Sequence, residues 1–109
     1  RILLLDGEVL GSFLRVPKPG DFRGNLHSGA TLKKSPLSAK EHQLVATIIP
    51  KLKKLGLHFV GLDLLGDRLT EINVTSPMGI GEINRLTGAH CEKNVVDWLQ
   101  RQIRDYHNN

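Results

Sequence analysis

The clearest structural signal in this sequence lies between Phe59 and Val74, where the residues read FVGLDLLGDRLTEINV. Two apolar runs rich in strand-forming residues flank the turn residues Gly66 and Asp67, a pattern typical of a β-hairpin. We therefore expect one strand over Phe59 to Leu65 and a second over Leu69 to Val74, joined by a tight turn.

Three residues with carboxylate or amide side chains lie within these strands: Asp63 on the first and, on one face of the second, Glu71 and Asn73. A two-residue connection would place Asp63 opposite Thr70 and send Glu71 to the other face. The three-residue connection Gly66-Asp67-Arg68 instead aligns Asp63 with Glu71. We expect this second register because only it separates the acids from the apolar side chains. The apolar residues on the core-facing side are then Leu62, Leu64, Ile72 and Val74.

The polar residues of the hairpin suggest a metal site. Two carboxylates and an amide oxygen are the hard oxygen donors that Mg²⁺ takes alongside nucleotide phosphates. A bound cation would also relieve the repulsion between the two carboxylates. The alternative is a solvated face whose acids keep a sheet edge soluble. The residues alone leave both interpretations open.

A second hairpin is predicted at the start of the chain. The apolar run from Arg1 to Leu5 precedes the turn residues Asp6 and Gly7, and residues 8–15 continue as a strand. Val16 to Ser35 then holds three glycines and two prolines and shows no sustained period. This pattern indicates a long irregular loop, and loops of this length are uncommon without a function.

Helices are expected in the rest of the chain. Ser38 and Glu41 have the spacing of a capping box, and Gly56 is a typical residue after a helix end. A short helix over Glu82 to Leu86 and a longer one over Lys93 to Tyr106 follow. The fold class is α+β, a mixed or antiparallel sheet with helices on one face. The predicted buried stripe of the last helix is Val95, Leu99, Ile103 and Tyr106, with Val96 beside them.

Composition indicates one folded domain. Of 109 residues, 39% are hydrophobic and 24% charged, close to ordinary globular usage. The single cysteine, Cys91, excludes an internal disulfide, and no apolar run is long enough to cross a bilayer, so we expect a cytoplasmic protein. The net charge of +4 favours anionic partners, but aromatic residues are only 5%, which argues against a nucleic-acid partner.

The strings FVGLD, from Phe59 to Asp63, and LTEINVTSP, from Leu69 to Pro77, resemble the metal-binding end of bacterial glutathione synthetase, an ATP-grasp ligase. The resemblance covers about Arg1 to Ile83, in the same order and at nearly the same spacing. Further matching segments are Arg1 to Glu8, Arg15 to Pro17 and Arg23 to Leu26.

This resemblance implies that residues 1–109 are the C-terminal portion of an ATP-grasp domain, with the N-terminal substrate domain and the ATP-hinge subdomain outside the chain. It implies a reaction in which ATP phosphorylates the carboxylate of γ-glutamylcysteine and the amine of glycine attacks the acyl phosphate. The full-length protein is then expected to be an ATP-dependent C–N ligase of glutathione biosynthesis. A homo-oligomer of the full-length enzyme is compatible with the resemblance. The isolated chain is expected to be inactive.

The resemblance also implies roles for individual residues. Asp63, Glu71 and Asn73 match ligands of Mg²⁺, which Mn²⁺ can replace, and Asn73 matches a nucleotide contact as well. Arg1 and Arg15 match catalytic arginines that bind the ATP phosphates and the acyl-phosphate oxygens, because a guanidinium can contact two oxygens at once.

The loop from Val16 to Thr31 matches a lid that covers the active site, with Arg23 as a catalytic and substrate-binding residue and Gly24 as a substrate-binding residue. The sequence departs from the family at residues 27–31 and again at residues 78–81, where an arginine usual in the family is absent. The segment expected near the acceptor amine is Thr75, Ser76 and Pro77.

Two other interpretations follow from these observations. The departures are compatible with another ATP-grasp amino-acid or peptide ligase. A different class is a non-enzymatic basic module that binds nucleic acid or an acidic partner through its lysines, such as Lys33, Lys34 and those in residues 51–54. This last interpretation leaves the placement of Asp63, Glu71 and Asn73 unexplained.

Overall fold

The computed structural model describes residues 1–17, 20, 31–75 and 77–108. The predictions for Arg23, Gly24 and Ser76, and for most of the lid, lie outside these residues. None of the helices in the described ranges is long and apolar enough to cross a membrane. In chain order the elements are β1 (Ile2–Leu5), β2 (Glu8–Val16), β3 (Thr31–Lys34), α1 (Ala39–Lys54), β4 (Phe59–Leu65), β5 (Arg68–Asn73), α2 (Ile80–Thr87) and α3 (Cys91–Asn108).

The strands form one antiparallel sheet in the order β3-β2-β1-β4-β5. The predicted β1–β2 hairpin is confirmed, since its turn residues Asp6 and Gly7 have φ values of 50° and 83°, as a two-residue hairpin turn requires. β3 lies within the segment predicted to be an irregular loop, so that prediction is wrong for residues 31–34. Those residues contain one apolar side chain, and only their pairing with β2 makes them a strand.

Helices cover both faces of the sheet. The α+β class with an antiparallel sheet is confirmed, but the expectation that the helices lie on one face is wrong. All four residues of β1 are buried apolar side chains, and because side chains alternate along a strand, β1 needs cover on both faces. The α1-side cluster contains Ile2, Leu4, Val45, Leu52, Val60 and Leu62, and the α2-side cluster contains Leu3, Phe13, Ile83 and Cys91.

The helix α1 begins and ends where the sequence predicts. The Ser38 amide donates to Glu41 Oε1 at 2.8 Å and the Glu41 amide donates to Ser38 Oγ at 3.2 Å, which completes the capping box. Gly56 follows the helix with a φ of 72°, the left-handed conformation that favours glycine. These local signals place the helix so that Val45 and Leu52 cover the middle of the sheet.

The β4–β5 hairpin aligns Asp63 with Glu71, as predicted, but by a different connection. The turn has two residues, so the predicted three-residue connection is wrong, and Thr70 is instead an extra residue in β5 that forms a β-bulge. The bulge pairs Leu64 with Leu69, and both pack on the α1-side cluster. The Thr70 hydroxyl donates to the Asp63 carbonyl at 3.1 Å.

Several apolar side chains predicted to be buried are exposed in the described part of the chain. On the hairpin, Leu62 is buried, but Ile72 and Val74 are 40% and 47% exposed because β5 is the edge strand and α1 packs mainly over β1 and β4. α3 begins in the α2-side cluster and then leaves the sheet, so its predicted buried stripe is wrong beyond the first turns. The exposed residues there are Val96, Leu99, Ile103 and Tyr106.

Candidate functional site

Three strands bring two arginines to one carboxylate. Arg1 precedes β1 and exchanges backbone hydrogen bonds with Phe13 of β2, while Asp63 lies on β4 and Arg15 near the end of β2. Arg1 Nε donates to Asp63 Oδ1 at 2.6 Å, and its Nη2 donates to Oδ2 at 3.0 Å. Arg15 Nη2 lies 2.8 Å from the same Oδ1. The side chains therefore converge on the face that carries the α2-side cluster.

The charge on Asp63 is stabilised by its partners. Asp63 is only 8% exposed, and burial by itself raises the pKa of a carboxyl group. The hydrogen bonds and charge of Arg1, followed by the charge and hydrogen bond of Arg15, outweigh burial and hold the pKa of Asp63 below its ordinary value. Asp63 is therefore a buried anion at neutral pH, and removing both arginines would leave its charge uncompensated.

Glu71 and Asn73 lie beside Asp63 on the adjacent strand, opposite Asp63 and Gly61 respectively. The Asn73 amide can be placed in two orientations that exchange its nitrogen and oxygen. In one, its nitrogen lies 3.5 Å from Asp63 Oδ2, at the limit of a hydrogen bond. In the other, the nitrogen donates to Glu71 Oε1 at 3.0 Å and the oxygen accepts from Arg1 Nη2 at 3.1 Å, so both ends are satisfied. We call Arg1, Arg15, Asp63, Glu71 and Asn73 the Asp63 cluster.

The guanidinium group of Arg1 is held in place by backbone as well as by Asp63. Its Nη1 donates to the Met78 carbonyl at 2.9 Å. The side chain passes over Gly61, where an added Cβ would lie 2.9 Å from Nη1 and 3.2 Å from Cδ of Arg1. Pro77, which is buried, lies 3.2 Å from the same position. Gly61 therefore leaves the space that the arginine fills.

Gly61 and the Met78 carbonyl are site components that the sequence reasoning did not identify. A glycine inside an apolar strand, two residues before Asp63, is a signal of close approach by another group, and this signal could have found Gly61. The Met78 carbonyl has no such signal, because a backbone acceptor is independent of side-chain type.

The structure brings five of the predicted site residues together as the Asp63 cluster. Thr75 is exposed in a bend after β5, and Pro77 packs beside Arg1. In the described ranges, no group of three or more His, Cys, Asp and Glu side chains could hold a metal ion. The Asp63 cluster has two carboxylates and an amide oxygen, a donor set whose chemistry fits a hard cation such as Mg²⁺.

The sequence matches the family model of the prokaryotic glutathione synthetase ATP-grasp domain over residues 1–88. The chain belongs to the prokaryotic glutathione synthetase family. The match contains all five strands of the sheet and every residue of the Asp63 cluster. The resemblance of the hairpin and of the arginine segments to this family is thereby confirmed over most of the chain.

Glutathione synthetases from several bacteria are similar to this chain. The chain is 44% identical over 103 residues to the glutathione synthetase of Synechocystis sp., and the aligned residues make up 94% of this chain and 32% of that relative. For Agrobacterium fabrum the identity is 42% over 102 residues, with 94% and 32% covered. For Prochlorococcus marinus it is 48% over 96 residues, with 88% and 31% covered. The chain thus spans about a third of the length of these glutathione synthetases.

Proposed function

We propose that the full-length protein containing this chain is an ATP-dependent carboxylate–amine ligase of the glutathione synthetase type. The observation that carries this proposal is the Asp63 cluster, in which two guanidinium groups meet two carboxylates and an amide on one face of the sheet. Arginines bind phosphate oxygens, and carboxylates bind divalent cations. A nucleotide with its cation needs both kinds of group side by side.

In the proposed reaction, the γ-phosphoryl group of ATP passes to the carboxylate of γ-glutamylcysteine, which gives an acyl phosphate and ADP. The glycine nitrogen then attacks the acyl carbon, the C–N bond forms, phosphate leaves and a proton passes from nitrogen to solvent. Arg1 and Arg15 would bind the phosphate and acyl-phosphate oxygens. Mg²⁺ or Mn²⁺, held by Asp63, Glu71 and Asn73, would supply neutralisation of the phosphate charge.

The remaining assignments rest on the family alone. Arg23 and Gly24 would act from the lid, and Thr75, Ser76 and Pro77 would lie near the acceptor amine. Four points stay predictions from the sequence: the boundaries of the ATP-grasp portion at residues 1–109, the preceding domains, a homo-oligomer and a cytoplasmic location.

A second candidate keeps the reaction but changes the substrates to those of another amino-acid or peptide ligase. The observation in its favour is Met78, a residue that is 74% exposed and lies in the segment where the family usually has an arginine. Met78 brings only its carbonyl to the Asp63 cluster, so this position adds no charge for a substrate. The nucleic-acid module has less support. Lys51, Lys53 and Lys54 lie in the last turn of α1, and the helix dipole favours positively charged side chains there, so their position needs no nucleic-acid ligand to explain it.

Replacement of Glu71 by glutamine in the full-length protein tests the primary proposal. Glu71 is exposed and Gln keeps an acceptor for Asn73, so we expect a stability change within about 0.5 kcal/mol. Because one of two carboxylate ligands is lost, ligation of γ-glutamylcysteine to glycine should fall by at least about 100-fold. Glu8→Gln, the same change at an exposed position of β2, is the matched control and should leave the rate unchanged.

The measurement is the release of ADP and tripeptide at several Mg²⁺ concentrations. Normal ligation with normal Mg²⁺ dependence in Glu71→Gln would exclude the metal assignment. ADP release with another amine or carboxylate, but not with this pair, would favour the second candidate. Steeply salt-dependent binding to DNA or RNA without any ligase activity would favour the basic module.

A further inference from the structure

Both carboxylate oxygens of Asp63 already accept from arginine side chains. Oδ1 is 2.6 Å from Arg1 Nε and 2.8 Å from Arg15 Nη2, and Oδ2 accepts from Arg1 Nη2 at 3.0 Å. The same Nη2 lies 3.1 Å from the oxygen of Asn73 in the orientation that satisfies its amide. Guanidinium groups therefore hold two of the three side chains proposed as cation ligands.

The two arginines differ in how firmly they are held. Arg1 contacts Asp63 through two nitrogens, donates a third bond to the Met78 carbonyl and fills the space over Gly61, and its side chain is 10% exposed. Within the described part of the chain, Arg15 makes one ion-pair contact, to Asp63, and its side chain is 33% exposed. Arg15 is therefore the partner that can leave while Arg1 keeps the carboxylate oriented.

We propose that Arg15 exchanges partners during ligand binding, so that cation binding and oxyanion binding at the Asp63 cluster are positively coupled. Without an anion, Arg15 occupies Oδ1 of Asp63 and its positive charge disfavours a cation there. An oxyanion such as a phosphoryl group draws the guanidinium away because it can offer two oxygens to the guanidinium, whereas Asp63 gives Arg15 one contact. This inference rests on the proposed cation site, and it adds that Arg15 competes with the cation for Asp63.

Coupling of this kind is reciprocal, because an anion that favours the cation must be favoured by it to the same extent. Removal of Arg15 distinguishes this exchange from a purely structural role, because the two predict opposite changes in cation affinity. If Arg15 only supports the position of Asp63, a variant without it should bind a cation less well. If Arg15 competes with the cation, the variant should bind the cation more tightly when no anion is present.

The test measures Mn²⁺ binding to the full-length protein by electron paramagnetic resonance of the free ion, with sulfate as the oxyanion and chloride at equal ionic strength as its control. We expect sulfate to tighten Mn²⁺ binding to the wild type by roughly fivefold or more, within the usual range of coupling between sites. Arg15→Met should bind Mn²⁺ more tightly than the wild type in chloride and should lose most of the sulfate effect.

Two further variants complete the experiment. Arg15→Lys keeps the positive charge and should retain part of the sulfate effect, whereas Arg104→Met, the same change as Arg15→Met at an exposed position of α3, should behave as the wild type. Arg15→Met is expected to fold because Arg1 still pairs with Asp63. Circular dichroism and unchanged gel-filtration volume check this.

The outcomes separate this inference from the proposed function. Weaker or unchanged Mn²⁺ binding in Arg15→Met, or a sulfate effect that survives in it, overturns the partner exchange while leaving the cation site intact. Absence of Mn²⁺ binding to the wild type with and without sulfate overturns the cation site and the exchange together. If the wild type binds Mn²⁺, Glu71→Gln does not, and Arg15→Met binds it more tightly, the cation site and the partner exchange are both supported.

Discussion

Replacing Gly61 with alanine tests whether β4 is shaped around Arg1. The added Cβ would lie 2.9 Å from Arg1 Nη1, and 3.2 Å both from Arg1 Cδ and from Pro77 Cβ, whereas non-bonded carbon atoms normally approach to about 3.5–4.0 Å. Forcing a methyl group into such a space costs about 1–3 kcal/mol. Gly61 does not have a positive φ, so alanine fits its backbone. Alanine also restricts the unfolded chain, which stabilises the folded protein by about 0.4–1 kcal/mol. The expected net loss of stability is about 1–2 kcal/mol.

Gly81→Ala is the matched control for this prediction. Gly81 lies in α2, and the nearest atom to its added Cβ is Arg85 Nη1 at 3.6 Å, an ordinary contact. Alanine there should stabilise the helix by about 0.5–1 kcal/mol. Native-state hydrogen exchange of the β4 and α2 amides in the full-length protein measures the free energy of local opening in both variants.

An Arg1→Ala background separates the steric cause from others. Because Arg1 supplies two of the three close contacts, the cost of Gly61→Ala should fall by about 0.5 kcal/mol or more in that background. The reasoning fails if Gly61→Ala opens with the wild-type free energy, or if its cost is the same with and without the Arg1 side chain.

Two further predictions concern titrating groups. The pKa of Asp63 is lowered by its arginine partners, so its contribution to stability is fully present above the unfolded carboxyl pKa of about 3.9 and is lost as pH falls through the folded value. The difference in thermal midpoint between wild type and Asp63→Asn should therefore shrink below about pH 4, and an unchanged difference near pH 2 would show that the ion pairs do not stabilise the fold. Burial, followed by the charge of Glu92, raises the pKa of Cys91, which is 2% exposed, so iodoacetamide should label it at about pH 7.5 only after denaturant is added. Rapid labelling of the native protein would mean that the start of α3 does not pack on the sheet.

Features whose partners are neighbours in the chain could be predicted from the sequence. Ser38 and Glu41 satisfy each other's amides within one helical turn, and the Asp6-Gly7 turn needs only the φ preferences of its two residues. The pairing of Asp63 with Glu71 was predictable because it separates acids from apolar side chains. The two-residue turn with the Thr70 bulge, which produces this pairing, could not be predicted. The bulge places Leu69 on the α1-side cluster, and the position of α1 is a tertiary property.

Contacts between distant residues depended on the folded sheet. Arg1 and Asp63 are separated by 62 positions, and only the pairing of β1 with β4 brings them together. Periodicity identified α3 as amphipathic, but how far the sheet extends beneath it decides which of its apolar residues are covered. The residue types of the hairpin indicated the carboxylates and the amide of the site, and the resemblance to the family added the two arginines. That both oxygens of Asp63 are held by arginines, in space left by Gly61, follows from strand register and side-chain packing, which single residues do not encode.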